Sequence, residues 1–337
     1  MNASDALRRA AAGRVPLGCW PTPIDTVVPR SGPPRLVKRD DLSGFGRGGA
    51  KTRKLEHLLG YALARGHDEL ITVTGNVTNL VFDLLPAADR LALRTKILVA
   101  DYPRVAPAER EVIFAGVRDR ITLLGANPAA AAAQALAAYA ASRRRGGRPL
   151  LVLPGASHPA STLGNAAGFL EMTDQLEAAG EPLPHTVYVA VATGTTLAGF
   201  LLAAHALRAA GRAAIDVVGA SVDIGWARAA TWALLRWAER AWRLPQPVPA
   251  GAVRVVPLPR GHAFGRCDGS LSDLCARVAD DVGVRLDPIF GARAWAAMDA
   301  AAAPPRRDGR RAMFWHCGYT PEWATLTAAV GRGAARA

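Results

Sequence analysis

Lys51 stands in the segment Gly44-Phe-Gly-Arg-Gly-Gly-Ala-Lys51-Thr-Arg-Lys54-Leu-Glu, where four glycines lead into a helical pattern whose first turn carries the lysine. Glycines let a backbone approach a ligand closely. A lysine amine can form an imine with an aldehyde cofactor and then shuttle protons. A second loop, Thr72-Val-Thr-Gly75-Asn-Val-Thr78-Asn79, follows a β-branched run. Hydroxyls and amides at a strand-to-helix junction suit a carboxylate, because a helix N-terminus presents free N–H groups. A third loop, Ala192-Thr-Gly194-Thr-Thr196-Leu-Ala-Gly199, also follows an apolar run. Its N–H groups and hydroxyls could cradle a phosphate on the dipole of the next helix. It is not a P-loop, because no Gly-Lys-Ser/Thr follows, and a dinucleotide fingerprint is incomplete. Each loop alone has a plainer reading: a solvated lysine, an N-cap at Thr78, a turn. Together they supply an imine lysine, a carboxylate loop and a phosphate cup, the three anchors that a pyridoxal-phosphate (PLP) amino-acid site requires.

The rest of the composition bears on that lysine. The chain has 337 residues, is 50% hydrophobic and carries a formal charge of +13. Lysine occurs only at 38, 51, 54 and 96, so arginine carries nearly all the positive charge. Where arginine is so abundant, a lysine points to chemistry of its own, since a guanidinium stays protonated and forms no imine. The arginines are dispersed, with short clusters at Arg143–Arg145 and Arg306–Arg311, and no basic stripe interleaved with aromatics appears. Nucleic acid is therefore not an expected partner. No apolar run reaches the ~18 residues of a membrane span. The N-terminal residues lack the apolar core of a secretory signal. Cys19, Cys267, Cys275 and Cys317 form no Cys-x-x-Cys pair and are not spaced with histidines as zinc ligands. Four reduced thiols in a cytoplasmic protein without a metal are expected.

The elements that must position these residues follow an alternating pattern. Strands are expected at Leu36–Lys38, Glu69–Thr74, Lys96–Ala100, Ile121–Leu124, Leu150–Leu153, Val187–Val191, Ile215–Ala220, Val253–Val256 and Met313–His316. Helices are expected at Lys51–Arg65, Pro128–Arg143, Leu163–Ala179, Thr196–Ala210 and Trp226–Trp242. Strands separated by helices imply parallel sheets covered on both faces. The length suggests two lobes. Trp226, Trp232, Trp237 and Trp242 are read as core or subunit packing, with a pocket wall as the alternative.

The motifs resemble the family of D-cysteine desulfhydrases and 1-aminocyclopropane-1-carboxylate (ACC) deaminases almost end to end. The matching segments are Pro21-Thr-Pro-Ile, Lys38-Arg-Asp-Asp-Leu, Gly48-Gly-Ala-Lys51-Thr-Arg-Lys-Leu-Glu, the 74–79 loop, Leu153-Pro-Gly-Ala-Ser157-His-Pro, the 192–199 loop, Leu286-Asp-Pro-Ile-Phe290 and Phe314-Trp-His-Cys317-Gly. The resemblance implies PLP fold type II, similar to tryptophan synthase β: two three-layer α/β lobes with mostly parallel sheets. It implies a small lobe of residues 46–165 inserted into a large cofactor-binding lobe of 1–45 plus 166–337. A homodimer is implied too, with 226–242 as a candidate interface. Lys51 stands where the family lysine holds PLP, and Asn79 where an asparagine hydrogen-bonds the pyridine 3-oxygen. Thr193, Gly194, Thr195 and Thr196 stand in the phosphate loop. Cys317 stands where the desulfhydrases place a threonine against the pyridine nitrogen.

The departures concern acid/base groups. The family's Gly-Gly-Asn-Lys becomes Gly48-Gly-Ala50-Lys51, and its Ser-Asn-His or Ser-Asn-Gln becomes Thr78-Asn79-Leu80. Its tyrosine after Asp-Pro is Phe290, the glutamate that follows in the ACC deaminases is Gly291, and another tyrosine position aligns loosely with Phe264. Losing tyrosine and glutamate together argues against ACC as substrate. A neutral Cys317 would leave the pyridine ring a weaker electron sink. That suits α-proton removal by Lys51 followed by loss of a β-substituent that needs little protonation, such as thiolate or acetate, with Thr78 as a relay. The expected substrate is a small amino acid contacted by Thr78, Asn79, Leu80, Phe264 and Phe290. The expected reaction is β-elimination with deamination. The alternatives are a β-replacement synthase, another tailoring enzyme of specialised metabolism, or a PLP-binding protein without turnover.

Overall fold

The computed structural model describes residues 3–222, 225–257, 264–265, 269–301 and 308–320. Cys267, Arg306 and Arg307 lie outside them. Strands β1 (Ile24–Val27), β2 (Arg35–Lys38), β7 (Thr186–Val191), β8 (Asp216–Ser221), β9 (Arg254–Val256) and β10 (Ala312–Trp315) form one sheet in the order β1-β2-β10-β7-β8-β9. Strands β3 (Glu69–Thr74), β4 (Arg94–Val99), β5 (Ile121–Leu123) and β6 (Pro149–Val152) form a second sheet in the order β5-β4-β3-β6. All pairings are parallel except β1 with β2. This is the mixed α/β architecture with mostly parallel sheets that the resemblance implies. The four strands of the smaller sheet lie within 46–165, and those of the larger lie outside it.

Each sheet is covered on both faces, as parallel strands require. In β7, Val187, Val189 and Val191 enter the core beneath helices α6 (Pro159–Ala178) and α7 (Thr195–Ala209). The alternating Tyr188 faces the opposite core, shared with α10 (Gly291–Ala300). In the smaller sheet Leu70, Ile97 and Val99 pack toward α2 (Ala50–Ala64) and α3 (Leu80–Arg90). Ile71 and Leu98 pack toward α5 (Pro128–Arg144) on the other side.

A buried charge network joins the two parts. Arg53 on α2 donates from Nε and Nη2 to Asp40 at 2.7 and 2.8 Å, and from Nη1 and Nη2 to Glu171 on α6 at 3.1 and 2.9 Å. Lys38 on β2 donates to Glu171 at 2.7 Å and to the Thr22 carbonyl at 2.7 Å. Trp315 on β10 donates to Asp40 at 2.7 Å. Buried charges persist when they are paired and hydrogen-bonded in this way. Three residues further along α2, Glu56 accepts from the backbone N–H groups of Leu17 and Gly18 and from the Trp20 indole. These bonds fix the rotation of α2 and so the direction in which Lys51 points.

Every expected strand overlaps an observed one, and β1 is an addition. The tryptophans divide. Trp232 and Trp242 pack against the large core. Trp237 is 41% exposed and lies edge-on to His158, and Trp226 is 52% exposed at the mouth of the cavity described next.

Candidate active site

Loops at the C-termini of strands in both sheets and the N-terminus of α2 surround one cavity of about 630 Å³. Ligands of open parallel sheets bind at such strand ends. Lys51 reaches the cavity because α2 begins against the segment after β10: the Ala50 N–H donates to the Cys317 carbonyl at 3.0 Å. Gly49 makes that approach possible. Its φ is +82°, and a Cβ there would lie 1.8 Å from the Cys317 oxygen. Its own N–H donates to the Asp40 carbonyl at 2.7 Å.

The second loop closes β3 and opens α3. Thr78 lines the cavity, and its hydroxyl accepts from the Leu80 N–H at 3.0 Å. Asn79 lines it too, its amide paired with the Thr320 hydroxyl and its oxygen accepting from Arg47 Nη1 at 3.2 Å. Leu80 departs from expectation. It is fully buried in the small-sheet core and does not line the cavity. As the first residue of α3 it turns inward with Val81 and Leu84, so its direction is set by helix packing rather than by its neighbour Asn79.

The third loop closes β7 and opens α7. Thr193, Gly194, Thr195 and Thr196 all line the cavity. Gly194 takes φ +85° as N-cap, which leaves the first N–H groups of α7 without helical acceptors. Thr195 Oγ1 and Ser157 Oγ lie 2.9 Å apart. Gly155 lets the neighbouring loop close on Thr193, for a Cβ at 155 would stand 2.4 Å from the Thr193 hydroxyl. Phe264, Phe290 and Cys317 line the same space.

Four residues beyond the expected set belong to the site. Lys54, one turn after Lys51, is 3% exposed and lines the cavity; the scarcity of lysine is the sequence signal that finds it. Tyr102 places a phenol on the rim, from a loop with no motif to mark it. Arg47 orders Asn79. Asp83, fully buried on α3, accepts from the Arg47 backbone N–H at 2.7 Å through one oxygen. Its other oxygen has no hydrogen-bond partner among the described residues.

Electrostatics follow from burial. Burial lowers the Lys51 ammonium pKa, against the opposing pull of Cys317 and Asp83. Burial and the Lys51 charge push Lys54 well below the usual lysine range. Burial raises the Cys317 thiol to about 12, so it is neutral at neutral pH. Burial lifts the Asp83 carboxyl to about 7. Lys54, three threonine hydroxyls and the open N-terminus of α7 form a donor set for a phosphate. The residues present fit PLP: an amine for its aldehyde, donors for its phosphate, and an amide and a neutral thiol on the same cavity.

Fold and cavity together define a fold type II enzyme built to carry PLP. A family model described as pyridoxal-phosphate dependent enzyme matches residues 15–318, and the chain belongs to that family. It is 33% identical over 329 residues to the nocardicin C-9' epimerase of Nocardia uniformis subsp. tsuyamanensis, covering 93% of this chain and 94% of that protein. It is 30% identical to a putative ACC deaminase of Pyrococcus abyssi, covering 91% and 92%. It is 29% identical to the ACC deaminase of Ralstonia nicotianae, covering 91% and 94%. Among solved structures, an ACC deaminase homologue superposes with a TM-score of 0.76 at 25% identity, covering 93% of this chain and 94% of that one. The structure of an O-ureido-L-serine synthase shares the fold, with a TM-score of 0.58 at 19% identity. The protein is a PLP-dependent enzyme.

Proposed function

We propose that this enzyme removes the α-proton of an amino acid with Lys51 and expels a β-substituent, releasing a 2-oxo acid and ammonia, as a D-cysteine desulfhydrase does. The observation that carries the reading is Lys51 itself, a cavity-facing amine with a lowered pKa, sharing its cavity with a phosphate-type loop and a neutral thiol. When bound, PLP supplies the electron sink that acidifies the α-C–H. The lowered pKa gives Lys51 Nζ a larger free-base fraction near neutrality, which a general base needs. In this reading Lys54 and the N-terminus of α7 would hold the phosphate, Asn79 would hold the ring oxygen, and Cys317 would meet the ring nitrogen without donating charge. Thr78 presents a hydroxyl to the reacting carbon, and Phe264 and Phe290 exclude water. The active unit is a homodimer, tested by light scattering of the purified protein.

A second reading is epimerisation at the α-carbon. It is favoured by Phe264 and Phe290, which offer no acid to a leaving group, and by the likeness to the Nocardia epimerase. One experiment separates the outcomes: the holoenzyme is incubated in D2O with a panel of D- and L-amino acids. Ammonia and 2-oxo acid mark elimination. Deuterium at Cα with inverted configuration and no ammonia marks epimerisation. A strict need for an added nucleophile marks replacement. A visible cofactor band that Lys51→Ala leaves in place overturns the assignment of Lys51.

A further inference from the structure

The walls of the cavity differ in chemistry. Lys51, Lys54 and Cys317 gather with the threonine loops, whereas another wall is one face of α5. Pro128, Ala131, Ala132, Ala135 and Leu136 line the cavity, at positions i, i+3, i+4, i+7 and i+8. That is the stripe one side of an α-helix presents. At ~1.5 Å per residue the stripe runs about 12 Å, longer than an amino acid with a one-carbon side chain requires. Ala131 and Ala135 are buried where α5 meets the sheet, so Pro128, Ala132 and Leu136, at i, i+4 and i+8, are the members of the stripe that a ligand meets. The rim is apolar and open. Leu136 is 59% exposed, Tyr102 54% and Leu153 42%, and all three line the cavity. Clustered apolar exposure of this kind marks a surface that binds something. The Tyr102 ring lies 6.0 Å from that of Phe264, inclined by 30°, giving the rim an aromatic edge. The described lining residues include no carboxylate and no arginine, so the α5 wall offers nothing to a charged side chain.

We infer that the α5 wall is a substrate subsite for an apolar, aryl-bearing side chain, on an amino acid whose α-carbon lies at Lys51. The inference rests on the reading above that the cavity works at an amino-acid α-carbon, and it names the substituent. Continuity with the Lys51 cavity favours this occupant over a second copy of the chain. Burying an aryl group on such a wall gives a selectivity of roughly 10- to 100-fold over a methyl side chain.

The test uses holoenzyme with homophenylalanine and alanine, each as both enantiomers. Two quantities are read: the kcat/KM of α-deuterium wash-in, and the Kd from titration of the visible cofactor band. Homophenylalanine is expected to exceed alanine by roughly 10-fold or more in affinity and in exchange. Ala132→Trp fills the stripe and lowers that ratio about tenfold, while Gln134→Trp, outside the stripe on the same helix, leaves it unchanged. Equal Kd values for the two amino acids overturn the inference. So does an Ala132→Trp variant that keeps the ratio and changes its oligomeric mass, which would make the wall a subunit contact. Preferential binding of homophenylalanine without exchange of any amino acid keeps the subsite and rejects the proposed chemistry, so the two failures are distinct.

Discussion

Asp83 ties the folding of this enzyme to pH in a direction that can be worked out. Its carboxyl is fully buried, accepts one backbone N–H through one oxygen and leaves the other without a partner among the described residues. Burial raises its pKa from 3.8 to about 7. The folded state therefore holds a proton that the unfolded chain releases between those values. The stabilisation is complete below pH ~4 and is lost as pH rises through ~7. At ~1.36 kcal/mol per pKa unit, three units correspond to about 4 kcal/mol of folding free energy. Asp83→Asn removes the titration and keeps the shape. Its constant packing cost does not vary with pH, so the stability gap between variant and wild type isolates the carboxyl. That gap should move by about 4 kcal/mol in favour of asparagine between pH 4 and pH 9. At roughly 2 °C per kcal/mol for a chain of this size, thermal midpoints should shift against each other by about 8 °C. The assay is thermal unfolding of both proteins, at equal and saturating PLP, across that range. A gap that stays flat with pH, or that favours aspartate more strongly at alkaline pH, would refute the reasoning.

Two further outcomes follow from the site. Gly49→Ala combines a positive φ with a Cβ 1.8 Å from the Cys317 oxygen; it should separate α2 from the segment after β10, lower stability by more than the ~1–2 kcal/mol of the dihedral alone, and weaken PLP retention on dialysis. Lys54→Met keeps the apolar stem and deletes the amine, which a bound phosphate dianion would hold protonated against the burial that lowers its pKa. Loss of one charge-assisted hydrogen bond of ~1.5–3 kcal/mol should raise the PLP dissociation constant roughly 10- to 100-fold, read by titration of cofactor-free protein, with the visible band of Lys51 still formed at saturation.

Much of the site was legible because its chemistry is carried by loops with distinctive residue types. Lys51, Thr78, Asn79, the 193–196 segment, Phe264, Phe290 and Cys317 all reach the one cavity. The lysine argument extends beyond Lys51: Lys38 is fully buried in the charge network, Lys54 sits in the cavity, and only Lys96 stands on the surface, bonded to Thr122. Leu80 misled because adjacency in sequence says little once a helix begins; its side chain follows the 3.6-residue period of α3 into the core. Strand β1 went unread because Ile24-Asp-Thr-Val is only four residues long between prolines at 23 and 29, and antiparallel pairing with β2 holds it. Tyr102 and the α5 wall carry no local signature. The place of the wall depends on how α5 packs against β3 and β6, and that of Tyr102 on the loop after β4 meeting the loop after β3, where the Asn76 N–H donates to the Tyr102 carbonyl; no short window of sequence contains either.

The network around α2 has a consequence for how this enzyme can change over evolutionary time. Lys51 and Lys54 face the cavity, while Arg53 and Glu56, interleaved with them within the first two turns of α2, face the buried charges and the N-terminal segment. A replacement at 53 or 56 therefore re-aims two reactive amines at once, and drift there is constrained by chemistry that neither residue performs. The α5 wall is under no such coupling. Its exposed members, Pro128, Ala132 and Leu136, bear no polar duty, so the range of substrates can diverge by changes of side-chain volume at these few positions while the Lys51 end of the cavity stays as it is.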